Sequence, residues 1–324
     1  MSKFKVMITD CKFDNFNYEK KIFQGINAKL IIAQCKTEDE LISLAPKDLN
    51  GLLVQYAPIS RKVIEFLPQL KVIGCYGIGV DMVDLKAAAE HGIYVVNVPD
   101  YCIEEVSNHT FALLMALQRK VVAFNEMVKK QYSWEFNTLK PIYCLQGKII
   151  GVIGFGKIPQ NLVKKASVFG LNMLVFDPFI DTSLGKEYPI KIVELQQLLK
   201  KSDYISIHAP LNKNTKYMIS YNEFKLMKET AFIINTARGP IIDENALIDA
   251  LINKKIAGAA LDVVETEPID KNNPLLKMDN VIITPHVAFY SENSLKELQF
   301  KTAQSVADVL LGKKPKENPE MLKI

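Results

Sequence analysis

The sequence predicts an α/β protein made of two doubly wound, parallel-sheet domains. Three observations carry that prediction. A chain of 324 residues exceeds one ordinary core and corresponds to two domains at roughly 150 residues each. Short β-rich runs alternate with amphipathic helical stretches, once over residues 4–96 and again from Lys148 onward. A long helical stretch with no strand inside it separates the two series. The proportions of 48% apolar and 23% charged residues are those of a globular protein, and 15 Gly with 15 Pro exclude a fibrous or low-complexity chain.

In the first series, strands are expected at 4–9, 29–33, 51–54, 71–75 and 93–96, with helices at 38–45, 60–66 and 84–90. The last of these has Asp84 as an N-cap, an alanine interior, and a stop at His91-Gly92. Residues 102–130 form one long expected helix. Its centre, 111–117, is apolar on nearly every side, which predicts burial all round, between two domains, between two subunits, or both. In the second series, strands are expected at 148–153, 172–176, 203–207, 231–235, 257–262 and 281–283. A final helix at 291–311 precedes a Lys/Pro-rich tail, Gly312 to Pro319.

Composition also excludes function classes. A net charge of +4 with scattered Lys gives no footprint for nucleic acid. The opening residues, Met1 to Asp10, fit a first strand better than a signal-peptide core, and no run of 18 apolar residues occurs, so a cytoplasmic protein without a membrane span is expected. The five cysteines (Cys11, Cys35, Cys75, Cys102 and Cys144) are odd in number and lack a CxxC spacing. Free thiols are expected, with neither a disulfide scaffold nor a metal site. Of the 40 Lys and Arg, only three are Arg (Arg61, Arg119, Arg238), and only four His occur (His91, His109, His208, His286). Each of these seven residues poses an individual question.

The chemistry gathers at strand ends in the second series. After strand 148–153 come Gly154-Phe155-Gly156-Lys157-Ile158-Pro159 and then a helix. The first glycine permits a tight turn, the second lets the backbone approach a pyrophosphate, and helix N-terminal amides hold the phosphates. Pro159 stands where a third glycine is usual, and its missing N–H is no loss in a first helical turn. A plain tight turn is the competing reading. The next strand ends at Asp177, 21 residues beyond Gly156. A carboxylate there accepts from ribose hydroxyls and repels the 2′-phosphate of NADP, so NAD is preferred over NADP; a turn-forming Asp-Pro is the alternative. His208-Ala209-Pro210, Asn235 to Gly239, Asp262, and Thr284-Pro285-His286 each follow a later strand. Ligands bind at the carboxyl ends of such sheets. His208 alone fits loop ordering equally well.

Several of these segments, in this order, resemble the D-isomer-specific 2-hydroxyacid dehydrogenase family. The matching stretches are Gly154-Phe155-Gly156, Phe176-Asp177-Pro178, 235–243, 258–268 and Thr284-Pro285-His286, with 74–81 and Asn97-Val98-Pro99 matching the substrate half. Residues 98–106 and 285–292 resemble the branch of C-terminal-binding-protein-like and phosphoglycerate-dehydrogenase-like members. The resemblance implies two Rossmann-like domains. One is NAD-binding over 101–289. The other is a discontinuous substrate-binding domain over 1–100 plus 290–324, with the active site in the cleft between them. It implies an enzyme acting on the CH–OH group of a small 2-hydroxy acid, with reversible hydride transfer between that acid, or its 2-keto partner, and NAD(H).

The family's triad falls on Arg238, Glu267 and His286, with Glu265 as the alternative acid. A planar guanidinium can fork onto a 2-keto acid's carboxylate, which Lys cannot. An imidazole beside a carboxylate can hold and exchange the proton of the hydroxyl. Cofactor contacts are implied at Gly154, Gly156, Lys157, Ile158 and Asp177, and at His208, Ala209, Pro210 and Thr215. They are also implied at Thr236, Ala237, Arg238 and His286, with Asp262 toward the nicotinamide. Substrate contacts are implied at Tyr76, Gly77, Ile78 and Gly79, whose glycines also suit a simple turn, and at Arg238 and His286.

Some positions depart from the family pattern. Cys75 and Met82 replace the Arg and Asn of many members, and Gln55-Tyr56 replaces the basic group of phosphoglycerate-specific members, so a phosphorylated substrate is not expected. The family pattern implies a homodimer formed through 102–130 and the segment after it; the lone Trp134, just past that helix, reads as a packing residue and not a base-stacking platform. Two readings stand beside this dehydrogenase: a phosphoglycerate-type enzyme, and a non-enzymatic NAD-sensing adaptor of the C-terminal-binding-protein type. An intact triad separates neither.

Overall fold

The computed structural model describes residues 2–314, so the expected tail from residue 315 lies outside the described residues. In chain order the elements begin β1 (Phe4–Ile8), α1 (Asn17–Gly25), β2 (Ala28–Ile32), α2 (Glu38–Leu44), β3 (Gly51–Val54), α3 (Arg61–Phe66), β4 (Val72–Cys75), α4 (Leu85–Glu90) and β5 (Tyr94–Val96). Two helices follow, α5 (Ile103–Arg119) and α6 (Val121–Gln131). Then come β6 (Ile149–Ile153), α7 (Lys157–Val168), β7 (Asn172–Phe176), α8 (Leu184–Glu187), β8 (Ile190–Ile192), α9 (Leu195–Lys201), β9 (Tyr204–Ile207) and α10 (Tyr221–Leu226). The chain continues through β10 (Phe232–Asn235), α11 (Glu244–Ile252), β11 (Gly258–Leu261), β12 (Val281–Ile283) and α12 (Glu292–Leu310).

The chain divides into two compact units, one holding the residues up to Tyr101 and again from Ser291, the other Cys102–Tyr290. The first has a five-stranded parallel sheet ordered β2-β1-β3-β4-β5. Its central strands β3 and β4 are apolar and buried at every position, as parallel strands covered on both faces must be. Helix α12 completes this unit. It starts at a reciprocal Ser291–Ser294 cap and buries Leu298, Ala303, Val306 and Leu310, packing on β3 and β4.

The second unit has a seven-stranded parallel sheet ordered β12-β11-β10-β9-β6-β7-β8. The order reverses direction between β6 and β9, which places a crevice at the carboxyl ends of those two strands. Both units are therefore doubly wound parallel sheets, the fold class expected from the alternating pattern. Among the described residues no helix is long and apolar enough to cross a membrane.

Three local expectations are corrected. The stretch 102–130 is two helices, not one, because Lys120 adopts a left-handed conformation (φ 53°) and turns the chain. No Gly or Pro marks that break, so periodicity runs straight through it. Helix α5 buries a stripe containing Val106, Thr110, Leu113, Leu114 and Leu117 rather than its whole circumference, and α6 leaves Val121 and Val122 exposed. Trp134 is 86% exposed and packs in no core of this chain. Helix α1 escaped the pattern because one of its two buried residues is an acid, Glu19, which hides the apolar period. The edge strand β8 has only three residues and none of them is fully buried.

Candidate active site

The crevice between β6 and β9 is built by a glycine. Gly154 lies at φ +86° and donates its N–H to the Phe176 carbonyl at 2.8 Å. A Cβ there would lie 2.7 Å from the Ala209 nitrogen and 2.9 Å from the His208 carbonyl carbon. The loops after β6 and β9 thus touch backbone to backbone. Gly156 is the N-cap of α7, and a Cβ on it would meet nothing within 4 Å. The N–H groups of Lys157 and Ile158 then open the helix with no intrahelical acceptor, while buried Pro159 has no N–H to satisfy. An open turn with free amides at a helix start fits a dinucleotide pyrophosphate.

Asp177 follows β7. One carboxylate oxygen accepts the Phe155 N–H at 2.8 Å and the other accepts the Phe179 N–H at 2.9 Å. The same side chain therefore shapes its own Asp-Pro turn and pins the glycine loop, with a further lone pair on each oxygen for a ribose hydroxyl. His208 turns its imidazole toward Ser206, with Nε2 and Oγ 2.8 Å apart. Burial pushes its pKa down to about 3, so the ring is neutral and orders the loop. The main chain of this segment abuts Gly154. Thr215 closes the loop, donating to the Pro210 carbonyl at 2.6 Å and accepting from the Asn212 N–H at 2.8 Å.

The next strand ends carry charge. Asn235, fully buried at the end of β10, accepts the Ala237 N–H at 3.0 Å and donates to the Arg238 carbonyl at 2.9 Å. This side chain holds the turn that presents Arg238, whose guanidinium donates to the Ala237 carbonyl at 2.8 Å. Thr236 in the same turn has its hydroxyl oxygen 2.8 Å from that of Thr110 in α5. At Gly239 a Cβ would sit 1.9 Å from the Val264 carbonyl oxygen, so only glycine lets this turn lie against the loop after β11. That loop carries Glu265 and Glu267. Glu267 Oε2 lies 2.7 Å from His286 Nδ1. Glu265 instead meets the Tyr217 hydroxyl and accepts the Glu244 N–H at 3.2 Å.

His286 follows β12 at φ +51° and donates its N–H to the Asp262 carbonyl at 2.8 Å. Asp262 is 2% exposed. Its carboxylate accepts from Thr284 Oγ1 at 2.5 Å and from the Val287 and Ala288 N–H groups, each at 2.9 Å. Burial disfavours the carboxylate, but hydrogen bonds from His109, Thr284, Val287 and Ala288 outweigh it and hold the pKa below the ordinary value. Asp262 thus fastens the His286 loop. With Nδ1 on Glu267, Nε2 is the imidazole nitrogen left to exchange a proton.

In the five-stranded unit, Tyr76 is buried and its hydroxyl donates to Glu19 at 2.8 Å, while Gln299 donates to both Glu19 oxygens at 3.2 and 3.3 Å. Burial raises the Glu19 pKa and lifts the Tyr76 phenol well above its usual range. The Tyr76 and Gly77 N–H groups bond the Val54 and Cys75 carbonyls, at 2.8 and 2.9 Å. Among the described residues, this leaves Ile78 and Gly79 as the open main-chain donors of the glycine loop.

Sequence reasoning assigned no individual role to Asn235, Gly239, Thr284, His109 or Glu19. The flanking motif residues carried a signal for the first three. His109 and Glu19 sit inside helices, where nothing in the local pattern distinguishes them.

Residues 111–288 match the family described as D-isomer specific 2-hydroxyacid dehydrogenase, NAD binding domain. The chain belongs to the D-isomer-specific 2-hydroxyacid dehydrogenase family. It is 38% identical over 310 residues to a D-3-phosphoglycerate dehydrogenase of Methanocaldococcus jannaschii, covering 95% of this chain but only 58% of that one. It is 36% identical over 297 residues to a glyoxylate reductase of Korarchaeum cryptofilum, covering 91% of this chain and 85% of the relative. Among solved structures, an acyclic imino acid reductase in complex with NADPH and D-Arg superposes with a TM-score of 0.85 at 27% identity, covering 96% of this chain and 98% of that one. The chain thus spans little more than half of the phosphoglycerate dehydrogenase and most of the glyoxylate reductase. The matched NAD-binding domain lies within the seven-stranded unit.

Proposed function

We propose that this protein is an NAD-dependent dehydrogenase that interconverts a small 2-hydroxy acid and its 2-keto acid. The observation that carries this reading is the 2.7 Å pairing of His286 with Glu267, on a loop held against the Arg238 turn at Gly239. Bound NAD(H) supplies or accepts the hydride. Arg238 binds the substrate carboxylate through two parallel N–H donors and draws electron density from the adjacent carbonyl. His286 Nε2 gives its proton to the oxygen that becomes the hydroxyl, or takes it in the reverse direction. Glu267 keeps the imidazole oriented through its contact with Nδ1. Within the five-stranded unit, the open Ile78 and Gly79 amides suit a substrate carboxylate in this reading.

The substrate is an unphosphorylated small acid. Gln55 and Tyr56 are themselves uncharged, although the Lys12 ammonium lies 5.5 Å from the Tyr56 ring centroid, and the extent of the match to a glyoxylate reductase supports the unphosphorylated class. The test is NADH oxidation in the presence of glyoxylate, pyruvate, hydroxypyruvate and their phosphorylated analogues. Turnover confined to the phosphorylated members would reject this substrate class.

Asp177 supports NAD over NADP, although a structural relative was solved with NADPH. Asp177→Ala is expected to narrow the ratio of kcat/KM for NADH over NADPH by about tenfold, equivalent to about 1.4 kcal/mol. An unchanged ratio would remove Asp177 from ribose recognition.

A homodimer is part of this reading. Tyr132, Trp134 and Phe136 after α6 are 90%, 86% and 87% exposed, and Val121 and Val122 at the start of α6 are exposed too, apolar side chains that a second copy would cover. Five free thiols accord with a cytoplasmic setting.

A further inference from the structure

We propose that His109 is a positioning residue for the acid/base group, acting on His286 through Thr284 and Asp262. The proposal rests on the reading of His286 given above. Helix α5 carries no strand-end residue, yet it braces two strand-end loops with consecutive side chains. Its first half is tied to α7 by Lys165, which reaches Glu104 at 2.9 Å, Ser107 at 2.7 Å and Asn108 at 2.6 Å. Asn161 adds donors to Glu104 at 2.7 Å and to Ser107 at 3.0 Å. One turn on, His109 Nε2 stands 3.0 Å from Thr284 Oγ1 and 3.5 Å from Asp262 Oδ1. Thr110 reaches Thr236 in the turn that presents Arg238.

Counting hydrogens orders this chain. The Thr284 hydroxyl has one hydrogen, and its 2.5 Å contact with the Asp262 carboxylate, which can only accept, uses it. Toward His109 the hydroxyl is therefore an acceptor, and the imidazole must carry its hydrogen on Nε2. Asp262, fixed from that side, takes the Val287 and Ala288 N–H groups on its carboxylate and the His286 N–H on its carbonyl. Both flanks of His286 thus hang on one carboxylate residue. His286 lies in the left-handed region at φ +51°, where a non-glycine residue stays only if its surroundings hold it. Without His109, Thr284 can rotate away, Asp262 loses its anchor, and the loop can relax to an ordinary conformation that withdraws the imidazole from Glu267.

The test compares His109→Ala, His109→Gln, Thr284→Val and the Ala/Val double variant with wild type and His286→Ala, using a turned-over 2-keto acid and NADH. We expect His109→Ala to lower kcat about 10- to 100-fold, as a displacement of order an ångström does. Its NADH affinity and thermal midpoint should stay near wild type. His109→Gln, which can place an amide N–H where Nε2–H was, should restore most of kcat. The double variant should be no slower than the worse single one, because both act along one chain. Wild-type kcat in His109→Ala with an inactive His286→Ala would overturn this proposal alone. So would loss of NADH binding and thermal stability in His109→Ala with no rescue by Gln, which is the signature of a merely structural residue. An active His286→Ala would instead overturn the reading on which the proposal rests.

Discussion

His286→Ala is expected to lose about 10²- to 10⁴-fold in kcat, the range that a positioned acid/base group contributes. NADH binding should persist, because the glycine turn, the α7 amides and Asp177 are untouched. The left-handed backbone at this position calls for a companion variant, and His286→Asn supplies it, since Asn adopts that conformation more readily than Ala. Both variants should be comparably slow if the imidazole proton matters. Near-normal kcat in either would remove His286 from proton transfer. Glu267→Gln keeps the hydrogen-bond partner but not its charge, and belongs in the same series as an intermediate case.

The second large effect is expected at Arg238. Arg238→Lys keeps the positive charge and much of the reach but loses the planar fork. We expect kcat/KM for the keto acid to fall about 100-fold, equivalent to about 2.7 kcal/mol, the scale of charge-assisted hydrogen bonds. NADH affinity should be little changed. The chain has only three Arg among its 40 basic residues, so a Lys at this position would be the ordinary choice if charge alone sufficed. Wild-type kcat/KM in Arg238→Lys would show that the fork is not used.

The fold was legible in the sequence because parallel strands buried on both faces are short, apolar and evenly spaced. The runs at 51–54, 72–75 and 204–207 declare themselves without any partner being known. The helix break at Lys120 was not legible, because a left-handed Lys carries no local signature. The buried Glu19 concealed α1 for a related reason: its partners, Tyr76 and Gln299, lie far away in the chain.

At the site, residue types identify the groups and the folded structure supplies their connections. Arg238, Glu267 and His286 stand out by rarity or by motif. The motif already favoured Glu267 over Glu265, and the structure places Glu265 on Tyr217 and Glu267 on His286. Asp262 shows the limit most clearly. A conspicuous acid at a strand end suggests a ligand contact, and the structure adds that its carboxylate is engaged by Thr284 and two loop amides. That loop-holding role had no local signature. His109 lies 175 residues from Thr284 in sequence, a separation no local pattern bridges.

Hydride transfer on a 2-keto acid is the step these groups would serve. The most direct measurement is NADH oxidation by the wild-type chain against a panel of small 2-keto acids, with His286→Ala assayed beside it. Turnover with at least one unphosphorylated acid is expected, with its collapse in the variant. Tight NADH binding with no oxidation by any acid in the panel would contradict it and leave a nucleotide-sensing adaptor in its place.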